Sequence, residues 1–277
     1  MNYLQLDKII MRALEEDMPM GDVTTDNIIS EHDSSGATLT AKQAGVVCGI
    51  EVAKRVFETL DDSCRFLAHF KDGDAVKAGD LVIEVSGNTR ALLKAERTAL
   101  NFLQHLSGIA TATHALAGLI SDLKARVVDT RKTTPGLRYL EKFAVGCGGG
   151  SNHRFSLSDG VLIKDNHIKA AGGISKAVDL VRRKIPHTIK IEVETENLEM
   201  VQEALDSGAD IIMLDNMSVE TMAEAVALID GRALVEASGD IDEKKVREVA
   251  LTGVDIISVG KITHSARALD ISMRFVD

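Results

Sequence analysis

Residues 188–216 read TIKIEVETENLEMVQEALDSGADIIMLDN. Two apolar runs, TIKIEVE (188–194) and ADIIMLDN (209–216), flank NLEMVQEALDSG, whose apolar residues recur at helical spacing and which ends in Gly208, the usual residue just beyond a helix C-terminus. Runs this apolar read as strands buried on both faces, and two of them joined by a helix make a parallel crossover unit. The same alternation extends in both directions. Further strands are expected at RVVDT (126–130), VLIKD (161–165), ALVEAS (233–238) and VDIISVG (254–260), and helices in ISKAVDLVRRK, VETMAEAVALI and DEKKVREVALTG, the last closed by Gly253. Six such units, without the two dissimilar halves of a doubly wound sheet, predict an incomplete β/α barrel of the TIM type, one unit or so short of closure.

Each predicted strand ends in polar groups that packing would not select: Asp129 with Arg131, Lys164 with Asn166 and His167, Glu192 with Glu194, Asp215 with Asn216, Glu236 with Ser238, and finally Gly260. Reactive groups of such barrels stand at the carboxyl ends of the strands, so these endings are expected to share one mouth. Any one of them is explained as well by solvent at a strand end; the set of six is harder to explain that way.

The first part of the chain has a different rhythm. An opening helix, LDKIIMRALEEDM (6–18), precedes GDVTTD (21–26) and short β-like segments around residues 37–50, 64–76 and 80–87. DGDAVKAGDLVIEVSG (72–87) has the hairpin geometry of lipoyl or biotinyl carrier modules but no lysine at their modified tip, so glycine here serves the turns. Helical periodicity then runs over residues 89–123, including ALLKAERTALNFLQHL. Arg97 lies in this helix beside Glu96, where it either pairs locally or projects to a partner. We expect a smaller N-terminal α/β domain over residues 1–118, with long connecting helices, and the barrel over 119–277, the last strand or helix packing back on the first domain.

The chain has 277 residues, of which 45% are hydrophobic and 27% charged, ordinary for a folded globular protein. It contains no apolar run near the roughly 20 residues of a membrane-spanning helix, and its opening lacks the pattern of a secretory peptide, so a cytoplasmic protein is expected. Cys48, Cys64 and Cys147 are odd in number and widely spaced, which suggests neither a disulfide framework nor a zinc cluster. The formal net charge of -10 argues against a broad nucleic-acid surface. Between residues 131 and 169, however, seven Lys or Arg face three acids. Such a basic island draws anions small enough to enter a cleft. Within it, GCGGG (146–150) is neither a Walker loop nor a G-x-G-x-x-G element, but it permits close backbone approach to a ligand and leads into SNHR, with His153 and Arg154.

In order along the chain, ALEED with GDVTT, AERTALNFLQHLSGIAT, DTRKTTPGLR, EKFAV with GGGSNHR, LIKDNHI, IEVETEN, IIMLDN, ASG and SVGKITHS resemble the serial motifs of the quinolinate phosphoribosyltransferase family. The resemblance covers nearly the whole chain. It implies transfer of a phosphoribosyl group from phosphoribosyl pyrophosphate (PRPP) to quinolinate with loss of carbon dioxide, magnesium as helper, and a homodimer or larger assembly whose sites the partner completes. No nucleic acid or membrane partner is implied.

By the same resemblance, Arg131, Arg154, Lys164 and His153 cradle the two carboxylates, with Arg97 offered from the other subunit, and Lys132 faces the pyrophosphate. Glu194 and Asp215 hold the ribose hydroxyls and the magnesium-bound substrate; neither is implied as a firm metal ligand, though both are candidates for one. Ser238, Gly239 and Gly260 hold the 5-phosphate, and Thr130, Asp240, Val259 and Lys261 complete the binding set. Lys132, Lys164, Glu194 and Asp215 carry the catalytic roles. The chain departs from the family pattern at Gly146, where a basic residue often stands, and at Asp240, where a second glycine often follows ASG. The first removes an anion contact and the second sets a carboxylate beside the presumed phosphate loop. A same-fold transferase using plain nicotinate and a non-catalytic anion-binding protein are the competing readings.

Overall fold

A computed structural model describes residues 2–276. The chain opens with α1 (Tyr3–Asp17), α2 (Thr25–Ile28), β1 (Ser34–Ala41), β2 (Gly45–Val46), α3 (Ile50–Leu60), β3 (Arg65–Ala68), β4 (Ala75–Val76), β5 (Leu81–Asn88) and the long α4 (Thr89–Leu119). Next come β6 (Arg126–Val128), α5 (Arg138–Cys147), β7 (Val161–Ile163), α6 (Asp165–Ala171), α7 (Ile174–Arg182), β8 (Ile191–Thr195), α8 (Leu198–Asp206) and β9 (Ile211–Asp215). It ends with α9 (Val219–Ile229), β10 (Leu234–Ser238), α10 (Val246–Leu251), β11 (Ile256–Ser258), α11 (Lys261–His264) and β12 (Ile271–Val276).

These elements form two compact units. One takes the described chain up to Ala112, then Thr134–Gly149 and the stretch from Ser265; the other holds Thr113–Thr133 and Gly150–His264. This division crosses the chain more often than the single boundary at 118/119 read from the sequence. The reason lies in α5. Its buried face, Leu140, Glu141, Ala144 and Val145, belongs to the first unit, where Glu141 meets His105 and Cys147 shares a hydrogen bond with Cys48. Two cysteines far apart in sequence are thus neighbours, and all three are free.

In the first unit, an antiparallel sheet has the order β12-β1-β5-β3. The last strand pairs along β1, with Leu39 opposite Met273. Strand β1 buries Ala37, Leu39 and Ala41 at alternate positions, and α1 buries Leu6, Ile10 and Leu14 at four-residue spacing, so each element turns one apolar face inward. The hairpin-like stretch contains two similar turns. Lys71 and Lys77 donate their N–H groups to the Asp74 and Asp80 carboxylates, both at 2.7 Å, while Gly73 and Gly79 take φ near +98° and +96°. At Gly108 of α4 a Cβ would lie 2.1 Å from the Arg267 carbonyl, so only glycine lets the returning chain approach.

The second unit is one parallel sheet of six strands in the order β6-β11-β10-β9-β8-β7, the six expected from the sequence. Strands β6 and β7 form its two edges, so the β/α ring is open between them. Helices α7 to α10 each bury one apolar face, for example Val201, Ala204 and Leu205 on α8. Asn197 and Ser218 accept N–H bonds from Met200 and Thr221 as N-caps, so α8 and α9 start at defined residues after their strands. On the strands, Ile191, Val193, Ile212, Leu214 and Ala237 are fully buried, and alternate residues line the inside of the ring.

Candidate active site

Because neighbouring strands are in parallel register, Glu194 beside Met213 and Ser238 beside Asp215, their polar endings stand at one level. They surround a cavity of about 590 Å³ in the second unit. Twelve of the residues nominated from the sequence line it: Thr130, Arg131, Lys132, His153, Arg154, Lys164, Glu194, Asp215, Ser238, Gly239, Asp240 and Gly260. Three do not. Val259 is buried behind the wall, its N–H donating to the Val128 carbonyl at 2.9 Å. Lys261 is exposed and pairs with Asp240 at 3.0 Å. Arg97 is exposed on α4, in the first unit.

Four cations, Arg131, Lys132, Arg154 and Lys164, line the cavity. Arg154 is half-buried and its Nη1 donates to the Gly160 carbonyl at 2.8 Å; burial, and then the charge of Arg131, lower its pKa from the ordinary arginine value. Two guanidinium groups held close enough to oppose each other's charge are a site for an anion. Lys132 reaches the cavity over Gly260, where a Cβ would stand 3.1 Å from its Cδ, and its carbonyl is fixed by the Thr263 hydroxyl at 2.9 Å. Lys164 starts α6 and forms an ion pair with Glu194. His167, by contrast, turns back, its Nδ1 accepting the Lys164 N–H at 2.9 Å, and serves the helix start.

The acids Glu194 and Asp215 share this lining. Asp215 is half-buried at the end of β9, and its carboxylate accepts the Asn216 amide at 2.9 Å. Asn216 has φ +53°, and its Oδ1 would lie 2.6 Å from a Cβ at position 239. Gly239, itself at φ +132°, is therefore required by both space and backbone conformation.

Below the mouth lies a cluster that sequence reading did not assemble. Nε2 of His153 is 3.1 Å from Glu192 Oε2 and 3.4 Å from Glu236 Oε1. Both glutamates are buried, and no hydrogen-bond partner reaches Oε1 of either among the described residues. Burial pushes Glu192 up from the ordinary glutamate range. For His153 burial opposes charging, yet the two carboxylates outweigh it and pull its pKa up to about 10. The Arg154 N–H, donating to Nδ1 at 2.7 Å, pulls the other way, because a charged ring would set two donors face to face. Nδ1 therefore accepts, and the ring proton sits on Nε2.

The cavity also takes in Asn216 and Glu236, read from the sequence as strand endings without a binding role, and Leu162, Met213 and Ser258, which the sequence reading did not name. A two-residue step back from the nominated strand ends finds Leu162, Met213, Glu236 and Ser258, since residues two apart share a face.

The chain matches the family models for quinolinate phosphoribosyl transferase over residues 22–107, the N-terminal domain, and 109–274, the C-terminal domain. It is 44% identical to a probable nicotinate-nucleotide pyrophosphorylase (carboxylating) of Bacillus subtilis, over 99% of this chain and 94% of that one. It is 42% identical to a quinolinate phosphoribosyltransferase (decarboxylating) of Nicotiana tabacum, over 97% and 82% of the two chains. The structure of the nicotinate-nucleotide pyrophosphorylase from Francisella tularensis superposes with a TM-score of 0.95 at 40% identity, covering 100% of this chain and 98% of that one. With motifs, open ring and both family domains in agreement along its length, the chain belongs to the quinolinate phosphoribosyltransferase family.

Proposed function

We propose that the cavity joins quinolinate to PRPP, giving nicotinate mononucleotide, pyrophosphate and carbon dioxide, a step of NAD biosynthesis. The observation that carries this reading is the mixed rim: Arg131, Lys132, Arg154 and Lys164 line a single cavity together with Glu194 and Asp215, and Lys164 is paired with Glu194. Both substrates are polyanions, and concentrated cations offset their charge. A protein that only bound anions would gain nothing from the two acids. Displacement at the anomeric carbon builds positive charge on the ribose, which Glu194 and Asp215 stabilise as pyrophosphate departs toward Lys132.

The new bond to the ring nitrogen makes the pyridine cationic, and that charge stabilises the carbanion left on the ring carbon when the adjacent carboxylate leaves as carbon dioxide; a proton from solvent then takes the carboxylate's place. No separate catalytic base is required. The oxygen donors of Glu194 and Asp215 suit a hard cation, so magnesium brought with PRPP fits beside them, where it would offset the charge of the departing pyrophosphate. Arg97, exposed on α4, is available to complete the site of a second copy in a homodimer or larger assembly.

The test is to supply quinolinate, PRPP and magnesium and to follow nicotinate mononucleotide and carbon dioxide together, with nicotinate in a parallel reaction. Equal amounts of both products from quinolinate alone are expected. Product from nicotinate instead would reassign the acceptor. For the shared site, mixing Arg97→Ala with Asp215→Ala protein is expected to restore part of the activity that each lacks.

A further inference from the structure

The open ring poses a mechanical problem. Strand β6 is an edge, and the segment after α5 returns to it by a single parallel bridge, Ser151 to Val128. Ser151 N–H donates to Val127 at 2.9 Å, Asp129 N–H to Ser151 at 3.2 Å, and His153 N–H to the Asp129 carboxylate at 2.9 Å. Yet this thinly laddered segment delivers Arg154 to the cavity.

The His153 ring reaches from this edge across the inside of the ring to β10 and β8, the third and fifth strands of the sheet order, where Glu192 Oε2 meets its Nε2 at 3.1 Å and Glu236 Oε1 faces it at 3.4 Å without completing a hydrogen bond. Two buried carboxylates with an unpartnered oxygen each are a poor choice for stability alone, since an apolar pair would fill the space without that penalty. The three groups also have the spacing of a metal site, their ligand atoms lying within 4.8 Å of one another. The ring argues for a hydrogen bond instead. A metal-bound imidazole donates its second N–H, whereas Nδ1 here accepts the Arg154 N–H, which leaves the proton on the nitrogen that faces the glutamates.

We propose that Glu192 and Glu236 are positioning residues: through His153 they form a strut that stands in for the missing strand ladder and holds the 151–154 segment so that Arg154 meets a carboxylate of the acceptor. The acceptor part rests on the quinolinate reading; the strut does not. Neither glutamate needs to touch substrate.

The experiment reads Glu192→Ala, Glu236→Ala and Glu192→Gln in the full-length protein by amide hydrogen exchange and steady-state kinetics. In the alanine variants, exchange over residues 151–154 should accelerate about tenfold or more while β1 keeps its protection. The KM for quinolinate should rise about tenfold, with the KM for PRPP changed less than about threefold. Glu192→Gln, which keeps an acceptor for Nε2–H at the same reach, should return both quantities toward wild type.

Unchanged exchange over 151–154 in a folded alanine variant overturns the strut. Faster exchange with an unchanged quinolinate KM overturns the positioning role, and a glutamine variant as impaired as alanine overturns the hydrogen-bonded form of the strut. Should the alanine variants fail to fold, Glu192→Asp, which keeps the charge and shortens the reach by one methylene, is expected to show both effects and overturns the proposal if it shows neither. Wild-type protein inert toward quinolinate would overturn the acceptor assignment alone and leave the exchange result to decide the strut.

Discussion

Both units bury a glutamate against a histidine, and they do it to opposite effect. In the first unit, His105 Nε2 meets Glu141 Oε1 at 2.9 Å and Thr134 N–H donates to Oε2 at 3.1 Å, so both carboxylate oxygens are used. Burial alone would raise Glu141, but these hydrogen bonds outweigh it and hold its pKa below the ordinary range. In the second unit, Glu192 meets the ring nitrogen through Oε2 and keeps Oε1 without a partner, Glu236 Oε1 faces the same nitrogen at 3.4 Å without completing a hydrogen bond, and burial lifts Glu192 above that range. A satisfied buried carboxylate stabilises the fold that contains it. An under-satisfied one lowers stability and persists where the site has a use for it.

The largest effect that bears on this contrast belongs to neither cluster. Glu194→Ala or Asp215→Ala removes a carboxylate at the mouth itself, and kcat is expected to fall about 10²- to 10³-fold with the melting temperature nearly unchanged. Full turnover in either variant would break the electrostatic role assigned to the rim.

The contrast between the clusters is next in size. Glu141→Ala leaves the Thr134 N–H and the His105 ring without their buried partner and should cost about 3 kcal/mol in urea unfolding. Glu192→Gln should stay within about 1 kcal/mol of wild type, because the native carboxylate is itself poorly satisfied there. Equal losses would erase the distinction.

The pH dependence should sharpen it. Glu141 has a lowered folded pKa, so its contribution is present above the ordinary glutamate value, about pH 4, and is lost as pH falls through the folded value. Glu192 has a raised one, so its contribution is present below about pH 4 and is lost as pH rises through the folded value. Unfolding free energies from pH 3 to 8 should therefore show Glu141→Gln flattening the acid loss and Glu192→Gln removing a decline in the opposite direction.

The smallest effect is expected at the rim. Asp240→Gly releases Lys261 from its exposed ion pair and should lower the KM for PRPP by about two- to threefold, since exposed pairs are weak. A larger change would make Asp240 a principal determinant of phosphate affinity.

Much of the fold was legible in the chain. All six strands of the parallel sheet were found from apolar runs, because burial on both faces leaves no other way to write them. At the carboxyl ends β6, β7 and β11 stop two residues and β9 one residue early, because the polar termini there lie beyond the last ladder bonds, whereas β10 ends at Ser238 as expected and β8 runs one residue further, to Thr195. The single domain boundary was too simple. Nothing local in residues 134–149 says that a helix following a barrel strand will pack with the other unit.

By itself, then, the sequence determined the strand and helix repeat, the common mouth, the basic island and the family, because periodicity and motif spacing are local and survive without coordinates. Only the tertiary structure decided that Glu192 and Glu236, on strands separated by β9, converge on one histidine, that Cys48 meets Cys147, and that Gly239 must be glycine beside Asn216. Those are contacts between distant residues, and they follow from how the sheet curves and where the chain crosses back, which no local pattern encodes.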